Sequence, residues 1–370
     1  MMSNRAHRSA LTGHLVGAGV DRRDFLRWTG LAFGSAVALT SCSAKEGEPA
    51  ATTTPPPATA EGPFPATTPQ VSRNYSYVTV KHPESVKTTV FGINNRDETV
   101  GYFADGRGVH GFLRSAAGEF SQVVDHPEAG DTTALYGLNN NGDAVGYYQP
   151  GKGSYPGTMS LPAEGVSSFT YSSTTKGFES IDTPEDGTGT VVAFGINDSG
   201  LVSGWYFARD ESGQSQAIIK GFVWSKGERK HVDTFRHPDD AGEGTFFMGI
   251  NNAGLVVGQY IGEGKAAHAF VRDSNSKVFA ASPIDHPDVP ASEGGTSGLG
   301  ISDLGVIAGF YLGKQGPQAY LRAGQDEFIP LNYAEAASGM SACGINTSGK
   351  VVGDFYDSRG DNLGYIATPV

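Results

Sequence analysis

From Tyr75 to the C-terminus the chain alternates short apolar runs with turn residues, on a repeating frame. "VVAFGI" from Val191 and "LVSGWY" from Leu201 are typical runs. They are short and rich in β-branched and aromatic residues, which predicts strands rather than helices. Between them stands Asn-x-x-Gly, as in Asn139-Asn140-Asn141-Gly142, a turn that needs glycine where φ is positive. Each such pair of runs therefore predicts a β-hairpin. A third run follows ("HGFLR" from His110, "KGFVW" from Lys220, "HAFVR" from His268, "QAYLR" from Gln318), and a fourth ends near an Asp-His-Pro phrase. No amphipathic helical pattern occurs after the first forty residues.

The phrase Gly-Ile-Asn, or a close variant, begins at Gly92, Gly137, Gly195, Gly249, Gly300 and Gly344, with separations of 45, 58, 54, 51 and 44 residues. Nine residues after each stands a second glycine: Gly101, Gly146, Gly204, Gly258, Gly309 and Gly353. Four short strands in a unit of this length fit a propeller blade. The last unit, ending "GYIATPV", has three strands, and "YSYVTVKHPES" from Tyr75 supplies a candidate fourth. The expected fold is all-β, a six-bladed β-propeller over residues 74–370, closed by pairing the N-terminal strand into the last blade. Pairing there also removes a bare sheet edge that an open solenoid would leave.

"HGFLR" and "HAFVR", together with "GINxxGxVVG", resemble the HAF-type extracellular repeat family over about residues 77–370. The resemblance implies this repeat architecture and an exported protein. It carries no catalytic residues to this chain.

The residues before the repeats set the expected address. Arg22 and Arg23, the uncharged run Trp28–Leu39 and the closing Leu39-Thr40-Ser41-Cys42 look like a twin-arginine lipoprotein signal over residues 1–42, with Cys42 as the lipidated residue. The uncharged run is too short for a permanent span, which takes about 20 apolar residues. Residues 43–73, rich in Ala, Thr and Pro, read as an extended linker without enough apolar surface to fold. The expected location is extracytoplasmic, with membrane contact only through the lipid. The net charge is −12, and the first 41 residues hold five Arg and two Asp, so the remainder carries −15. That sign argues against nucleic acid as a partner. Beside Cys42 the chain has only Cys343, so neither a disulfide framework nor a cysteine metal cluster is available.

Positions common to all six repeats are expected to be structural, and a site is expected where repeats differ. The residue two after each second glycine is always aromatic, which suits packing. The residue just before that aromatic varies: Tyr102, Tyr147, Trp205, Gln259, Phe310 and Asp354. Long insertions at 149–177 and 207–220 point to a groove with Tyr147, Tyr155, Tyr171 and Trp205 as ligand-binding candidates, since aromatic faces suit sugar rings. Histidine recurs at His82, His126, His237 and His286, and an acid stands two residues beyond that position in all six repeats. These histidines are candidate ligands of a divalent cation, against the plainer reading of equivalent turns each with its own hydrogen bonds. No other cofactor is indicated.

The expected role is binding of a glycan or other polar ligand at the cell envelope. One alternative is a polysaccharide hydrolase or lyase, which would draw on His126, His237 and Asp182. Another is a protein-interaction scaffold. Weaker letter matches carry nothing. Gly106-x-Gly108-x-x-Gly111 precedes no helix, "NNNGD" lacks the remaining calcium-loop ligands, and Arg359-Gly360-Asp361 reads as a turn.

Overall fold

In the computed structural model the protein is all-β. The structure describes residues 58–59, 69–151, 165–209, 218–280, 283–289, 295–313, 316–324 and 327–370. The expected signal (Arg22, Arg23 and Cys42) and Tyr155 lie outside the described residues, as does most of the expected linker. A single 3₁₀ turn, Glu263–Lys265, is the only helical element among the described residues. No helix there is long and apolar enough to cross a membrane.

Within each repeat consecutive strands pair antiparallel, each beside the next in sequence. The first repeat contributes Lys87–Ile93, Thr99–Ala104, Val109–Arg114 and Phe120–Val124. The second contributes Ala129–Leu138, Asp143–Pro150, Ser167–Ser172 and Phe178–Ile181, and one parallel pair, Val109 with Thr132, joins these two groups into one sheet. Four more sheets follow the same order, opening at Gly187, Thr245, Thr296 and Met340. The last holds Met340–Ile345, Val351–Tyr356 and Asn362–Pro369, and its fourth strand is Tyr75–Val80. That strand pairs antiparallel from Tyr75 with Pro369 to Val80 with Gly364. One short segment of the expected linker, Ala58–Thr59, pairs in parallel with Phe279–Ala280. The linker is therefore ordered at that point, where backbone hydrogen bonds to a sheet edge replace those to water.

Each Asn-x-x-Gly turn places its glycine at positive φ, for example Gly142 at 83° and Gly200 at 80°; in the first repeat Asp97, at 63°, takes the place. The turn asparagines also reach between repeats. Asn94, Asn139, Asn197 and Asn251 each donate from the side chain to the carbonyl of the equivalent residue in the following repeat, at 2.9–3.2 Å. Asn346, in the last repeat, donates to the carbonyl of Asn94 in the first, at 3.1 Å.

The glycines explain the close approach. At every second glycine, from Gly101 to Gly353, a Cβ would collide with a carbonyl of the neighbouring first strand, such as that of Thr89, Ala134 or Ser341. At the first glycines a Cβ would meet the next repeat's backbone within 3.0 Å, and Gly344 would meet the carbonyl of Phe91, in the first repeat. Each first strand has a register shift at the residue before its first glycine, in the fourth repeat spanning Met248 and Gly249, so one extra residue is bulged in every repeat. A bulge re-aims a side chain. The bulge-position residues Phe91, Tyr136, Phe194, Met248, Leu299 and Cys343, drawn from all six repeats, meet in one hydrophobic cluster.

Candidate functional site

The recurrent histidines form a lock that is repeated, not a site. The His126 ring stacks on Tyr148 with centroids 3.7 Å apart. Its Nδ1 accepts the Glu128 backbone N–H at 3.2 Å, and its own backbone N–H donates to Thr133 Oγ1 at 3.0 Å. The same three contacts hold His82 (Phe103, Glu84, Thr88), His237 (Tyr260, Asp239, Thr245) and His286 (Tyr311, Asp288, Thr296). An Nδ1 that accepts a hydrogen bond belongs to an unprotonated ring. Burial pushes all four pKa values down, His237 to about 4. The four rings sit in four different repeats and do not converge, and among the described residues no three His, Cys, Asp or Glu group as a metal site. Asp182 is exposed, and its carbonyl bonds His231, not His126 or His237, so that proposed catalytic trio is not assembled.

The repeats diverge at the cluster formed by the bulge residues. There each second strand adds the variable residue of its repeat: Tyr102, Tyr147, Trp205, Gln259, Phe310 or Asp354. Each lies opposite a first-strand residue in the same register: Thr89, Ala134, Val192, Phe246, Ser297 and Ser341 respectively. Repeats one to three make an aromatic wall. Tyr136 stacks on Phe194 at 4.4 Å and lies 6.2 and 5.6 Å from Tyr102 and Tyr147, and Trp205 joins the same cluster. Repeats four and six bring polar side chains, Gln259 and Asp354, to the equivalent position, and repeat five keeps Phe310 there, opposite Ser297. Gln259 is 1% exposed, and neither atom of its side-chain amide has a partner; the buried Ser297 hydroxyl has none either. Asp354, 3% exposed, accepts from Asn362 Nδ2 at 2.7 Å, and Asn362 Oδ1 accepts from Thr89 at 3.2 Å.

Lys87, at the start of the first strand, is half-buried with its ammonium 5.8 Å from the centre of the Tyr102 ring. Burial lowers its pKa to about 8, against the nearby Asp354 charge, which raises it. Burial raises the Asp354 pKa, which Asn362 and Lys87 oppose. Cys343, 4.0 Å from Asp354, has its thiol pushed far up by burial and is no nucleophile.

Of the aromatic candidates read from the sequence, Tyr147 and Trp205 thus share the cluster of bulge residues, both almost fully buried. Tyr171 does not: it packs against Phe178 in another cluster, and its hydroxyl donates to Gln122 at 3.0 Å. Lys87, Gln259, Ser297 and Asn362 were not among the candidates. Gln259 and Asp354 carried a signal, being the only non-aromatic residues at their repeat position. Lys87 and Asn362 carried none, because their relation to Asp354 depends on strands far apart in sequence.

No protein-family model matches this sequence, and no curated relative matches it. Among solved structures, the chain is similar to a putative gluconolactonase at TM-score 0.47 and 13% identity, covering 82% of this chain and 93% of that one. It is also similar to the Aleuria aurantia lectin in complex with Fucα1-6GlcNAc (0.42, 12%, 75% and 91%) and to TolB from Acinetobacter baumannii (0.41, 11%, 74% and 69%). These are likenesses of strand arrangement, and no site residue is carried across from them.

Proposed function

We propose that the chain is a lipid-anchored, extracytoplasmic six-bladed propeller of HAF type, closed by its first strand, whose axial site binds a glycan or another polar ligand. The circular order of contacts supports closure. Each repeat's turn asparagine and first glycine face the next repeat, and those of the last repeat face the first. Closure is tested by joining Ser76→Cys to Thr368→Cys, residues that pair across the first and last strands. A disulfide closing so long a loop should stabilise the domain by about 2–4 kcal/mol. Failure to cross-link under oxidation would refute closure. Export and anchoring are tested by Arg22→Lys with Arg23→Lys, which should block export, and by Cys42→Ala, which should release the protein from membranes.

One observation carries the binding reading: the axis has an aromatic wall on one side and, on the other, the polar groups of Gln259, Ser297 and Asp354 set among apolar residues such as Phe246 and Phe310, with the Gln259 amide unpartnered. Leaving a buried amide unsatisfied costs about 1–3 kcal/mol. A fold that solves the same packing problem with Phe310 one repeat later has no packing need for glutamine there. Sugars present a flat apolar face and a hydroxyl edge, and the two walls match both. The test is thermal melting of the mature domain with a panel of envelope polysaccharide fragments, following released oligosaccharides in parallel. A ligand at 100 times its Kd should stabilise the fold by about 2.7 kcal/mol. Gln259→Leu and Trp205→Ala should remove that stabilisation. Ligand effects that survive both substitutions would place binding elsewhere, and product release would indicate a hydrolase or lyase.

A further inference from the structure

We propose that the axial site takes the ammonium group of an amino sugar, in the seat that Lys87 now fills. The inference rests on the glycan-binding reading above and narrows it to one ligand class. The seat has an aromatic face, Tyr102, and a buried carboxylate, Asp354. A π-face and a carboxylate together select a cation over a neutral group. Lys87 demonstrates that an ammonium fits there, and as a side chain of the protein it acts as a stand-in for the ligand. Burial lowers its pKa to about 8, so its charge is held less firmly than that of an exposed lysine and is the more readily displaced by another cation.

The surface around this end of the axis carries the matching charge. Strand direction fixes which loops surround it. The Asn-x-x-Gly turns lie at one end of every first strand, and the turns bearing the lock histidines, with Lys87, lie at the other. In each of those histidine-end turns stands an exposed acid: Glu84, Glu128, Glu185, Asp239, Asp288 and Glu335. Among the described residues only Glu84 has a lysine or arginine within 4 Å, Arg107 at 3.6 Å. The lock histidines beside them are held neutral and offset none of this charge. At the opposite end three acids are ion-paired, Asp97 with Lys350 at 2.6 Å, Glu98 with Arg96 at 2.6 Å and Asp143 with Lys226 at 2.7 Å, and Asp198 and Asp303 are held by the amides of turn asparagines. A ring of unpaired carboxylates around one mouth raises the local concentration of a cationic ligand and speeds its capture. Acetylation of the sugar amine removes the charge on which both features act.

The experiment titrates the mature domain with a glucosamine tetramer and with its fully N-acetylated counterpart, at pH 6 and in low salt. The free-amine oligomer is expected to bind at least about tenfold more tightly, as a partly desolvated cation–π contact with a carboxylate would give. Lys87→Met, which empties the seat, should tighten that binding further, and Asp354→Asn should abolish the preference for the amine. Glu185→Gln with Asp288→Asn, both exposed, should slow association and weaken its salt dependence while leaving dissociation unchanged. Equal affinity for the two tetramers overturns the amine assignment while leaving the glycan-binding reading standing. If neither tetramer binds but a neutral sugar does, in a way that depends on Gln259, the inference fails and the reading survives. If no glycan in the panel binds, both fall.

Discussion

Gly146 and Tyr147 are neighbours in one strand, yet they belong to two different parts of the molecule. Gly146 repeats a glycine present in all six units, where a carbonyl of the adjoining strand leaves no room for a side chain. Tyr147 occupies a position that holds six side chains of four chemical kinds: tyrosine and phenylalanine rings, an indole, an amide and a carboxylate. The histidine lock belongs with Gly146, recurring four times with ring separations of 3.7–3.8 Å. The cluster of bulge residues belongs with Tyr147. What recurs solves a packing problem that every unit shares. What varies sits where all units meet and no two need be alike, and there a single asymmetric binding surface can form.

The sharpest way to break this contrast is to exchange the roles of the two neighbours. Gly146→Ala should cost more than about 4 kcal/mol, since backbone must move to admit the methyl group. Tyr147→Phe should cost less than about 1 kcal/mol, measured in both cases by denaturant unfolding. Similar costs would erase the distinction between repeated and variable positions.

Acid comes next. A histidine whose folded pKa lies below its unfolded value, about 6.5, stabilises the fold fully above that pH. The stability is lost as pH falls through the folded pKa, because the unfolded chain takes up the proton first. For His237, falling to about 4, the loss between pH 6.5 and 4 should approach about 3 kcal/mol. His82, His126 and His286 shift in the same direction and add to it. Unfolding followed across this window should show the slope, and His237→Phe should flatten it. An unchanged slope in that variant would mean that the lock is not what acid opens.

A smaller effect is expected from Thr245→Val, which deprives the buried His237 N–H of its acceptor at a cost of about 1–2 kcal/mol. Calorimetric melting beside wild type measures it. Smallest of all is Glu185→Gln on the exposed rim, within about 0.5 kcal/mol of wild type in the same assay. A large loss there would give the rim a structural role and weaken its assignment to ligand capture.

The threonine of the lock was legible in the sequence but only with the structure as a key. Thr88, Thr133, Thr245 and Thr296 stand four residues before the first glycine in the four repeats that have histidine. Val191 and Met340 stand there in the two repeats that have Thr183 and Tyr333 instead. The two positions change together because one side chain caps the other's backbone.

By itself the sequence determined the strands, their turns, the glycine frame and the place of the first strand beside the last. The first three follow from local geometry (a period of two, a positive φ, a missing Cβ), and the last from the repeat count, since the final unit has three strands and lacks a fourth. It also marked Tyr147 and Trp205 by the variability of their position. Only the tertiary structure decided that the histidines stay apart while Lys87, Asp354 and Asn362 come together, and that Tyr171 faces another cluster. Those outcomes depend on how bulged strands from different repeats aim their side chains into one shared cluster. The contacts there span as many as 273 residues, as between Thr89 and Asn362, and no local pattern encodes them.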